Sequence, residues 1–361
     1  MLERIHSTPP VALLIALLSA ACNAGERLPG ADAAGTDSAA RQTAANELVY
    51  ISNEGSGTIT IVDAAADSAV ASIQVGTRPR GIRVSADGRT VYVALTGSPR
   101  CPPTMPDEEC DRLVADKSKD GIGVVDVAER RLVRVLPGGS DPETFDVSRD
   151  GSRLFVSNED VDSATIVDVA SGRILHTVPV GREPEGVRLH PEGREVWVTG
   201  ETDHDITVLE TDSGRTIARI PVGRRPRDLA FSRDGNIAWV TAEVGGTIAV
   251  VDARTHRMLR TVALPEGARP MGVVLSPDGS RVYVANGRGG TVTAIDARTD
   301  SILGSVEVGV RPWGIGITSD GRKLYTANGP SGDVTVVDAA TLTVLTRIPT
   351  GELPWGVAVS Q

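Results

Sequence analysis

The chain has few aromatic residues, few cysteines and no long hydrophobic run. Only 3% of its 361 residues are aromatic, although 40% are hydrophobic. We therefore expect a core built mainly of Val, Ile, Leu and Ala, which suit sheets that pack face to face. The apolar stretch at residues 11–18 is shorter than the roughly 20 residues that a membrane-spanning helix needs.

The sequence also lacks the motifs of several enzyme classes. It has no Cys-x-x-Cys-His segment for covalent haem, and no phosphate loop, dinucleotide fingerprint or Ser–His–Asp order in a suitable context. Of five histidines, only His204 lies where we expect chemistry. The net charge of −10 argues against a general nucleic-acid binder. We predict no cofactor, and we expect a monomer.

The sequence does contain one residue pattern that is repeated seven times from residue 48 onwards. In each copy a bulky residue in a short apolar run is followed by an acidic residue that closes a second run. The pairs are Tyr50/Asp63, Tyr92/Asp126, Phe155/Asp168, Trp197/Glu210, Trp239/Asp252, Tyr283/Asp296 and Tyr325/Asp338. Successive bulky residues are 42, 63, 42, 42, 44 and 42 positions apart, so the second copy carries an insertion of 21 residues.

This repeat predicts an all-β fold. Each unit has about four short runs rich in Val, Ile and Thr, bounded by Gly, Pro or Asp, which leaves no room for long helices. A period near 42 with four strands is typical of propeller blades. We predict a seven-bladed β-propeller of four-stranded antiparallel blades. Residues 355–360 should pair with residues 48–52 and close the ring, leaving no open sheet edge.

The segment before the repeats predicts export. Basic residues precede the apolar stretch, and Ser19-Ala20-Ala21-Cys22 follows it, as in a secretory signal. Small residues before a cysteine resemble the lipobox of bacterial lipoproteins, although Ser19 stands where a leucine is usual. We expect a signal peptide at 1–21, a lipid on Cys22 and a flexible tether at 22–46; ordinary cleavage and a retained anchor are the alternatives. Residues 47–361 form the propeller, in the periplasm or at the cell surface.

The insertion at about residues 96–119 contains the other two cysteines, Cys101 and Cys110. Export places them in an oxidising compartment, so we expect a disulfide that closes a small loop. A metal site is the rival interpretation, but no histidine or second cysteine pair is nearby. The insertion is rich in proline and charged residues, and we expect it to act as a lid or as a docking element for a partner. The alternative is a loop insertion without a function.

Several segments resemble a known family. Val282-Tyr-Val-Ala-Asn286, Leu324-Tyr-Thr-Ala-Asn328 and Gly309-Val-Arg-Pro-Trp-Gly314 are similar to the YVTN β-propeller repeat proteins. The resemblance implies seven blades, an exported or surface location and, in most members, no enzymatic activity. Related propellers include enzymes such as lactonases, so the resemblance implies little about chemistry.

We look for function where the seven copies differ. The loops leading into the first strand of each blade all contain proline, with variable flanking residues. We expect an anionic ligand or a protein partner to bind this rim, through guanidinium groups and aromatic faces. The candidates are Arg78, Arg80, Arg225, Arg227, Arg269, Arg311, Trp313 and Trp355. The alternative is that these arginines pair with Asp141, Glu143, Glu183 and Glu185 of the same rim, and that each tryptophan packs between blades.

Two further clusters are candidates. Acidic side chains in neighbouring loops on the same face could bind Ca²⁺ or, with a histidine, a transition metal; solvated acidic loops are the alternative. They are Glu159, Asp160, Glu201, Asp203, His204 and Asp205. In the channel wall, we predict an ionic cluster of Arg83, Asp146 and Arg188, since an unpaired buried charge is costly. We interpret this cluster as a structural brace between blades.

Two functions are compatible with these patterns. The first is a non-catalytic envelope propeller that presents one face to a protein partner or a small anionic ligand, as an accessory of a periplasmic redox or catabolic system. The second is a metal-dependent lactonase or lyase that uses the carboxylates near His204. The membrane would be contacted only through the N-terminal lipid.

Overall fold

The computed structural model describes residues 47–100, 105–110 and 112–360. The predicted signal peptide, the tether and Cys22 lie outside these residues, and so does Cys101. The side chain of Cys110 is not described either, so the disulfide remains a prediction. Among the described residues, none of the helices has the length and apolar character needed to cross a membrane.

The described residues form 28 strands, one short α-helix, α1 (Asp107–Cys110), and three 3-10 helices of three residues each. The strands of the first half are β1 (Leu48–Asn53), β2 (Thr58–Asp63), β3 (Ser68–Gln74), β4 (Ile82–Val84), β5 (Thr90–Leu95), β6 (Gly121–Asp126), β7 (Arg131–Leu136), β8 (Pro142–Val147), β9 (Arg153–Asn158), β10 (Ser163–Asp168), β11 (Ile174–Pro179), β12 (Pro184–Leu189), β13 (Glu195–Gly200) and β14 (Asp205–Glu210). Those of the second half are β15 (Thr216–Pro221), β16 (Pro226–Phe231), β17 (Ile237–Ala242), β18 (Thr247–Asp252), β19 (Arg257–Ala263), β20 (Pro270–Leu275), β21 (Arg281–Asn286), β22 (Thr291–Asp296), β23 (Ile302–Glu307), β24 (Pro312–Ile317), β25 (Lys323–Asn328), β26 (Asp333–Asp338), β27 (Thr343–Pro349) and β28 (Pro354–Val359).

These strands make seven four-stranded antiparallel sheets, the blades of a β-propeller. Within a blade we name the strands a to d from the central channel outwards. Blade 1 combines both ends of the repeat region, in the order β28-β1-β2-β3. Its β28–β1 register aligns Val49 with Val359 and Ile51 with Val357. The predicted seven-bladed fold and its closure by the last strand are confirmed.

The apolar runs of the repeat lie in the middle strands of each blade. In blade 5, strand b (β17) is buried along nearly its whole length, whereas strand d (β19) is mostly exposed. Strands b and c face neighbouring blades on both sides, which is why their sequences are almost continuously apolar. The bulky residue of each repeat lies in strand b and packs between blades: Tyr325 of blade 7, fully buried, contacts Val49 and Ile51 of blade 1. Burial of a side chain of this size contributes about 2–3 kcal/mol.

The turns between strands a and b support this packing. Six of them contain Asp-Gly or Glu-Gly, and each glycine has a φ between 69° and 78°. The prediction that these glycines supply a positive φ is confirmed. Close approach between blades explains another set of glycines, near the channel. A Cβ on Gly186 would lie 2.4 Å from the carbonyl oxygen of Arg227 in the next blade, so a larger residue would force the blades apart.

The insertion in blade 2 is attached on the same side of the ring as the d-to-a loops. The amide of Gly97 donates to Asp120 (2.7 Å), and Arg78 donates to the carbonyl of Ser98 (2.6 Å). Lys117 forms an ion pair of 2.5 Å with Asp160 in blade 3. The base of the insertion is therefore held against blades 2 and 3.

Candidate binding site at the channel mouth

A short proline-containing loop leads into strand a of every blade and gives all seven the same backbone at the channel mouth. The residue before the proline has a φ between 43° and 63° in each blade: Arg78, Asp141, Glu183, Arg225, Arg269, Arg311 and Leu353. A left-handed conformation at a residue other than glycine costs on the order of 1 kcal/mol. Because it recurs in all blades, this conformation belongs to the fold, and only the side chains distinguish one blade from another.

The side chains after these prolines divide the mouth into two parts. In blades 2 to 5 they are charged, and we call this part the charged arc; from blade 2 onwards they are Arg80, Glu143, Glu185 and Arg227. In blades 6, 7 and 1 they are Met271, Trp313 and Trp355, and we call this part the aromatic arc. The first residue of the loop between strands b and c follows this division except in blades 1 and 2, where it is glutamate and Thr96. It is Glu54, Glu159, Glu201 or Glu243 in blades 1, 3, 4 and 5, but glycine in blades 6 and 7.

In the first half of the charged arc, arginine and glutamate side chains pair with each other. Arg78 contacts Glu54 at 2.6 Å, and Arg80 contacts the same carboxylate at 3.2 Å. Arg80 also pairs with Glu143, and with Glu159 at 3.3 Å. These side chains are largely buried, so the pairs are screened from solvent far less than surface pairs.

The second half of the charged arc is centred on Arg227, which is only 9% exposed. Its guanidinium pairs with Glu185, with Glu201 at 2.5 Å and with Glu243 at 2.8 Å. Arg225 pairs with Glu201 as well. Burial lowers the pKa of Arg227, but the carboxylates of these three glutamates more than reverse this effect, so its pKa is raised.

Three carboxyl groups face only two guanidinium groups here, those of Arg225 and Arg227. Burial raises the pKa of Glu185 to about 8; Arg227 opposes this shift, whereas Glu201 and Glu159 add to it. Burial also raises the pKa of Glu201. Glu185 therefore carries a proton at neutral pH, which reduces the repulsion among the buried carboxyl groups.

Four of the predicted ligand-binding arginines thus have carboxylate partners within the protein: Arg78, Arg80, Arg225 and Arg227. For Arg80 and Arg227 the partners include Glu143 and Glu185, as in the alternative that the sequence analysis weighed; Arg78 and Arg225 pair instead with glutamates of the b-to-c loops. Two of the partners, Glu54 and Glu243, were not singled out from the sequence. Their common position, the first residue of a b-to-c loop, would have revealed them.

The aromatic arc is organised differently. The indole rings of Trp313 and Trp355 lie 5.6 Å apart, centroid to centroid, at an interplanar angle of 47°. The guanidinium of Arg311 lies over the ring of Trp313, 5.2 Å from its centroid, within cation–π distance. Both tryptophans are partly exposed, whereas Met271 beside them is buried.

The aromatic arc carries positive charge. Among the described residues, no acidic side chain forms an ion pair with Arg269, Arg288 or Arg311; Arg269 donates instead to the carbonyl of Val244 (3.4 Å). Burial lowers the pKa of Arg311, Arg288 lowers it too, and Glu243 raises it. A guanidinium beside another guanidinium gains stability when an anion approaches.

A funnel connects the two arcs. Its enclosed volume is about 70 Å³, below the range of drug-sized ligand pockets, and the funnel widens towards solvent. One wall is formed by Met271, Trp313 and Trp355, and the opposite wall by Glu185 and Arg227.

Deeper in the funnel, strand a contributes two ion pairs instead of the predicted three-residue cluster. Arg83 contacts Asp146 at 3.5 Å, as expected. Arg188 forms its pair with Asp228 of blade 5, at 2.9 Å, because this aspartate replaces the glycine found at its position in most blades. Burial raises the pKa of Asp228 to about 6, and burial also raises that of Asp146. The predicted cluster in blades 2 to 4 is thus corrected to two ion pairs, one between blades 2 and 3 and one between blades 4 and 5.

The predicted metal ligands do not converge on one point. Asp160 pairs with Lys117, Asp203 with Arg182 at 2.8 Å, and Asp205 with Arg219 at 3.2 Å. Glu201 pairs with Arg225 and Arg227, and the Nδ1 atom of His204 lies 2.9 Å from the carbonyl oxygen of Glu201.

A different set of carboxylates is compact. Glu143, Glu159 and Glu185 each have an oxygen within 4.8 Å of the others, and only Glu159 belongs to the predicted metal set. One oxygen of Glu143, Oε2, is buried without a hydrogen-bond partner among the described residues. However, Arg80 already contacts Glu143 and Glu159, so a guanidinium supplies positive charge to this trio.

Comparison with known sequences gives partial matches. A model of the cytochrome D1 heme domain matches residues 235–358, and a model of the YNCE-like beta-propeller matches residues 104–192. Each match covers less than half of the chain. No curated protein sequence matches significantly.

Solved structures resemble the whole propeller more fully. Kuenenia stuttgartiensis hydrazine synthase is 20% identical with a TM-score of 0.66, covering 78% of this chain and 89% of its own. A protein of unknown function from Desulfotomaculum acetoxidans is 16% identical with a TM-score of 0.72, covering 87% and 99%. A candidate 6-phosphogluconolactonase from Bacteroides fragilis is 18% identical with a TM-score of 0.70, covering 88% and 99%. At these identities the likeness shows the β-propeller fold alone.

Proposed function

We propose that the protein is a binding protein rather than an enzyme, and that the aromatic arc of its channel mouth holds an anionic ligand. The observation that carries this proposal is the contrast between the two arcs. The charged arc pairs its arginines internally, whereas the aromatic arc places Arg311 over a partly exposed tryptophan pair. An anion here would gain charge-assisted hydrogen bonds without breaking an existing ion pair.

The proposal narrows the predicted binding surface. Of the eight candidates, Arg269, Arg311, Trp313 and Trp355 belong to the aromatic arc and its loops. The four arginines of the charged arc have a structural role, in that they neutralise buried carboxylates. A concave funnel lined by aromatic groups and a few cations suits a small ligand better than a flat protein surface.

A panel of anions tests this function. The purified protein is titrated with phosphate, succinate, benzoate, glucose 6-phosphate and an acidic peptide, each followed by calorimetry. At least one should bind to the wild type and bind about tenfold more weakly to Arg311→Met, because a charge-assisted hydrogen bond contributes about 1.5–3 kcal/mol. Arg322→Met is the matched control, since Arg322 lies in an a–b turn of the same blade. The proposal fails if no member of the panel binds, or if the loss is the same in both variants.

We also propose that the protein works in the cell envelope, as the resemblance to YVTN proteins suggests. The support is the lipobox-like sequence that ends at Cys22. In this view the lipid holds the propeller at a membrane, and the mouth is presented to ligands of the periplasm or the cell exterior. Fractionation and mass spectrometry of the mature N-terminus test this assignment.

The carboxylate trio supports a second candidate function, a metal-dependent lactonase or lyase. The observation that favours this second function is the buried Glu143 Oε2, which has no hydrogen-bond partner among the described residues. Carboxylate oxygens are ligands that Ca²⁺ prefers. Metal analysis of the purified protein discriminates between the two functions. A stoichiometric divalent ion that is lost in Glu159→Gln would favour the enzyme, and its absence would favour the binding protein.

A further inference from the structure

We infer that the ligand of the aromatic arc is a small aromatic carboxylate. This inference rests on the proposed function and deepens it by naming the chemical class of the ligand. It follows from three features of the funnel: its two indole rings, the uncompensated charge at its rim and the neutral ion pairs at its floor.

The indole rings favour a flat ring over an aliphatic chain. Trp313 and Trp355 are tilted by 47° and line the funnel together with Met271. Aromatic rings pair favourably in offset or edge-to-face arrangements with centroids 4.5–7 Å apart. The thioether of a methionine also contacts ring edges favourably. A saturated ring of the same size would bury the same apolar surface without these directional contacts.

The charges define where the carboxylate lies. At the rim, the guanidinium of Arg311 lies over the ring of Trp313; Arg288 lowers its pKa, and Glu243 raises it. At the floor, Arg83 and Arg188 are each paired with an aspartate. The positive charge available to a ligand is therefore at the rim, beside the tryptophans. A carboxylate there forms a bidentate contact with one guanidinium, while its ring contacts the indoles.

Size limits the ligand to a single ring. The enclosed part of the funnel is about 70 Å³, so part of the ligand stays in the open mouth, and the opposite wall is fixed by the Glu185–Arg227 pair. The cations of this wall already have partners, since Arg227 contacts three carboxyl groups and Arg225 contacts two of them. A second negative group on the far side of the ligand would find no free guanidinium there, so the ligand carries its charge at one end.

The test uses ¹⁹F NMR of protein labelled with 5-fluorotryptophan, which gives four signals because the chain has four tryptophans. Trp313 and Trp355 report on the site. Trp197 and Trp239 are buried in other blades and report on folding. The probes are benzoate, cyclohexanecarboxylate and benzamide, which separate the contributions of the ring and the charge.

Benzoate should shift the Trp313 and Trp355 signals and bind at least about fivefold more tightly than either other probe. Arg311→Met should weaken benzoate about tenfold while leaving benzamide unchanged, because only the charged probe loses a charge-assisted contact. Unchanged Trp197 and Trp239 signals show that the variant is folded. Trp355→Leu should reduce the preference for benzoate over cyclohexanecarboxylate.

The outcomes separate this inference from the proposed function. Equal binding of benzoate and cyclohexanecarboxylate, both sensitive to Arg311→Met, overturns the aromatic class and leaves an anion site. Binding of only phosphate, a phosphorylated sugar or an acidic peptide at Arg311 also overturns the aromatic class alone. If no anion shifts the Trp313 and Trp355 signals, both the inference and the proposed function are wrong.

Discussion

Replacement of Glu185 by glutamine should remove much of the pH dependence of stability between pH 6 and 9. Glu185 is buried beside Arg227 and Glu201, and burial raises its pKa to about 8. Its folded-state pKa therefore lies above its ordinary value of 4.5. The protonated form contributes stability that is fully present below about pH 4.5 and is lost as the pH rises through 8.

The size of the effect follows from these two values. One pKa unit corresponds to about 1.4 kcal/mol, so a single group with these constants lowers the free energy of unfolding by about 3 kcal/mol between pH 6 and 9. The coupled titration of Glu201 spreads this loss over a wider range. Glutamine resembles the protonated carboxyl group and does not titrate. Glu185→Gln should therefore match the wild type within about 1 kcal/mol at pH 6 and be more stable at pH 9.

Urea denaturation at pH 6, 7, 8 and 9, followed by circular dichroism, measures the difference. Glu183→Gln is the matched control, because Glu183 lies two residues away in the same loop but is exposed; it should retain the wild-type pH profile. The reasoning is refuted if Glu185→Gln loses as much stability as the wild type from pH 6 to 9.

Three further predictions concern other parts of the molecule. Arg227→Met should lower the free energy of unfolding by about 3–5 kcal/mol, because it leaves buried carboxylates without their guanidinium. Urea denaturation measures this loss. The control Arg224→Met should show no such loss, because the side chain of Arg224 is exposed. Deletion of residues 354–361 should lower the melting temperature by roughly 10 °C or more and cause aggregation in gel filtration, since β1 would become an open edge; unchanged melting would contradict the ring closure. Cys22→Ser should move the protein from the membrane fraction to the soluble fraction, and unchanged fractionation would contradict the lipid anchor.

The architecture could be predicted from the sequence because it depends on local patterns that recur seven times. Alignment of the copies identified the strands, the turn glycines and the missing first strand that β28 supplies. A periodic pattern of this kind reports backbone geometry, and that geometry is the same in every blade. The bounds of the closing strand differed by only one residue from those predicted.

The candidate site was predicted only in part, because it depends on contacts between blades. The sequence showed which residues flank the prolines, but it did not show that Arg227 meets Glu243 of its own blade as well as two glutamates of blade 4. It also did not show that Arg188 reaches Asp228. Such pairings depend on how far each side chain extends towards the neighbouring blade, and the spacing of residues along the chain does not encode that distance. Only the geometry showed that the arginines of the charged arc are paired internally, whereas Arg311 of the aromatic arc lies over a tryptophan.

The central claim is that the aromatic arc binds an aromatic carboxylate through Arg311, and one comparison tests it most directly. Benzoate is titrated into wild-type protein, Arg311→Met and Arg322→Met, each labelled with 5-fluorotryptophan, while the Trp313 and Trp355 signals are followed by ¹⁹F NMR. The account predicts the same saturable shift for the wild type and Arg322→Met, and a dissociation constant about tenfold larger for Arg311→Met. If benzoate shifts neither signal in the wild type, or if Arg311→Met binds it as tightly as the wild type, the account is contradicted.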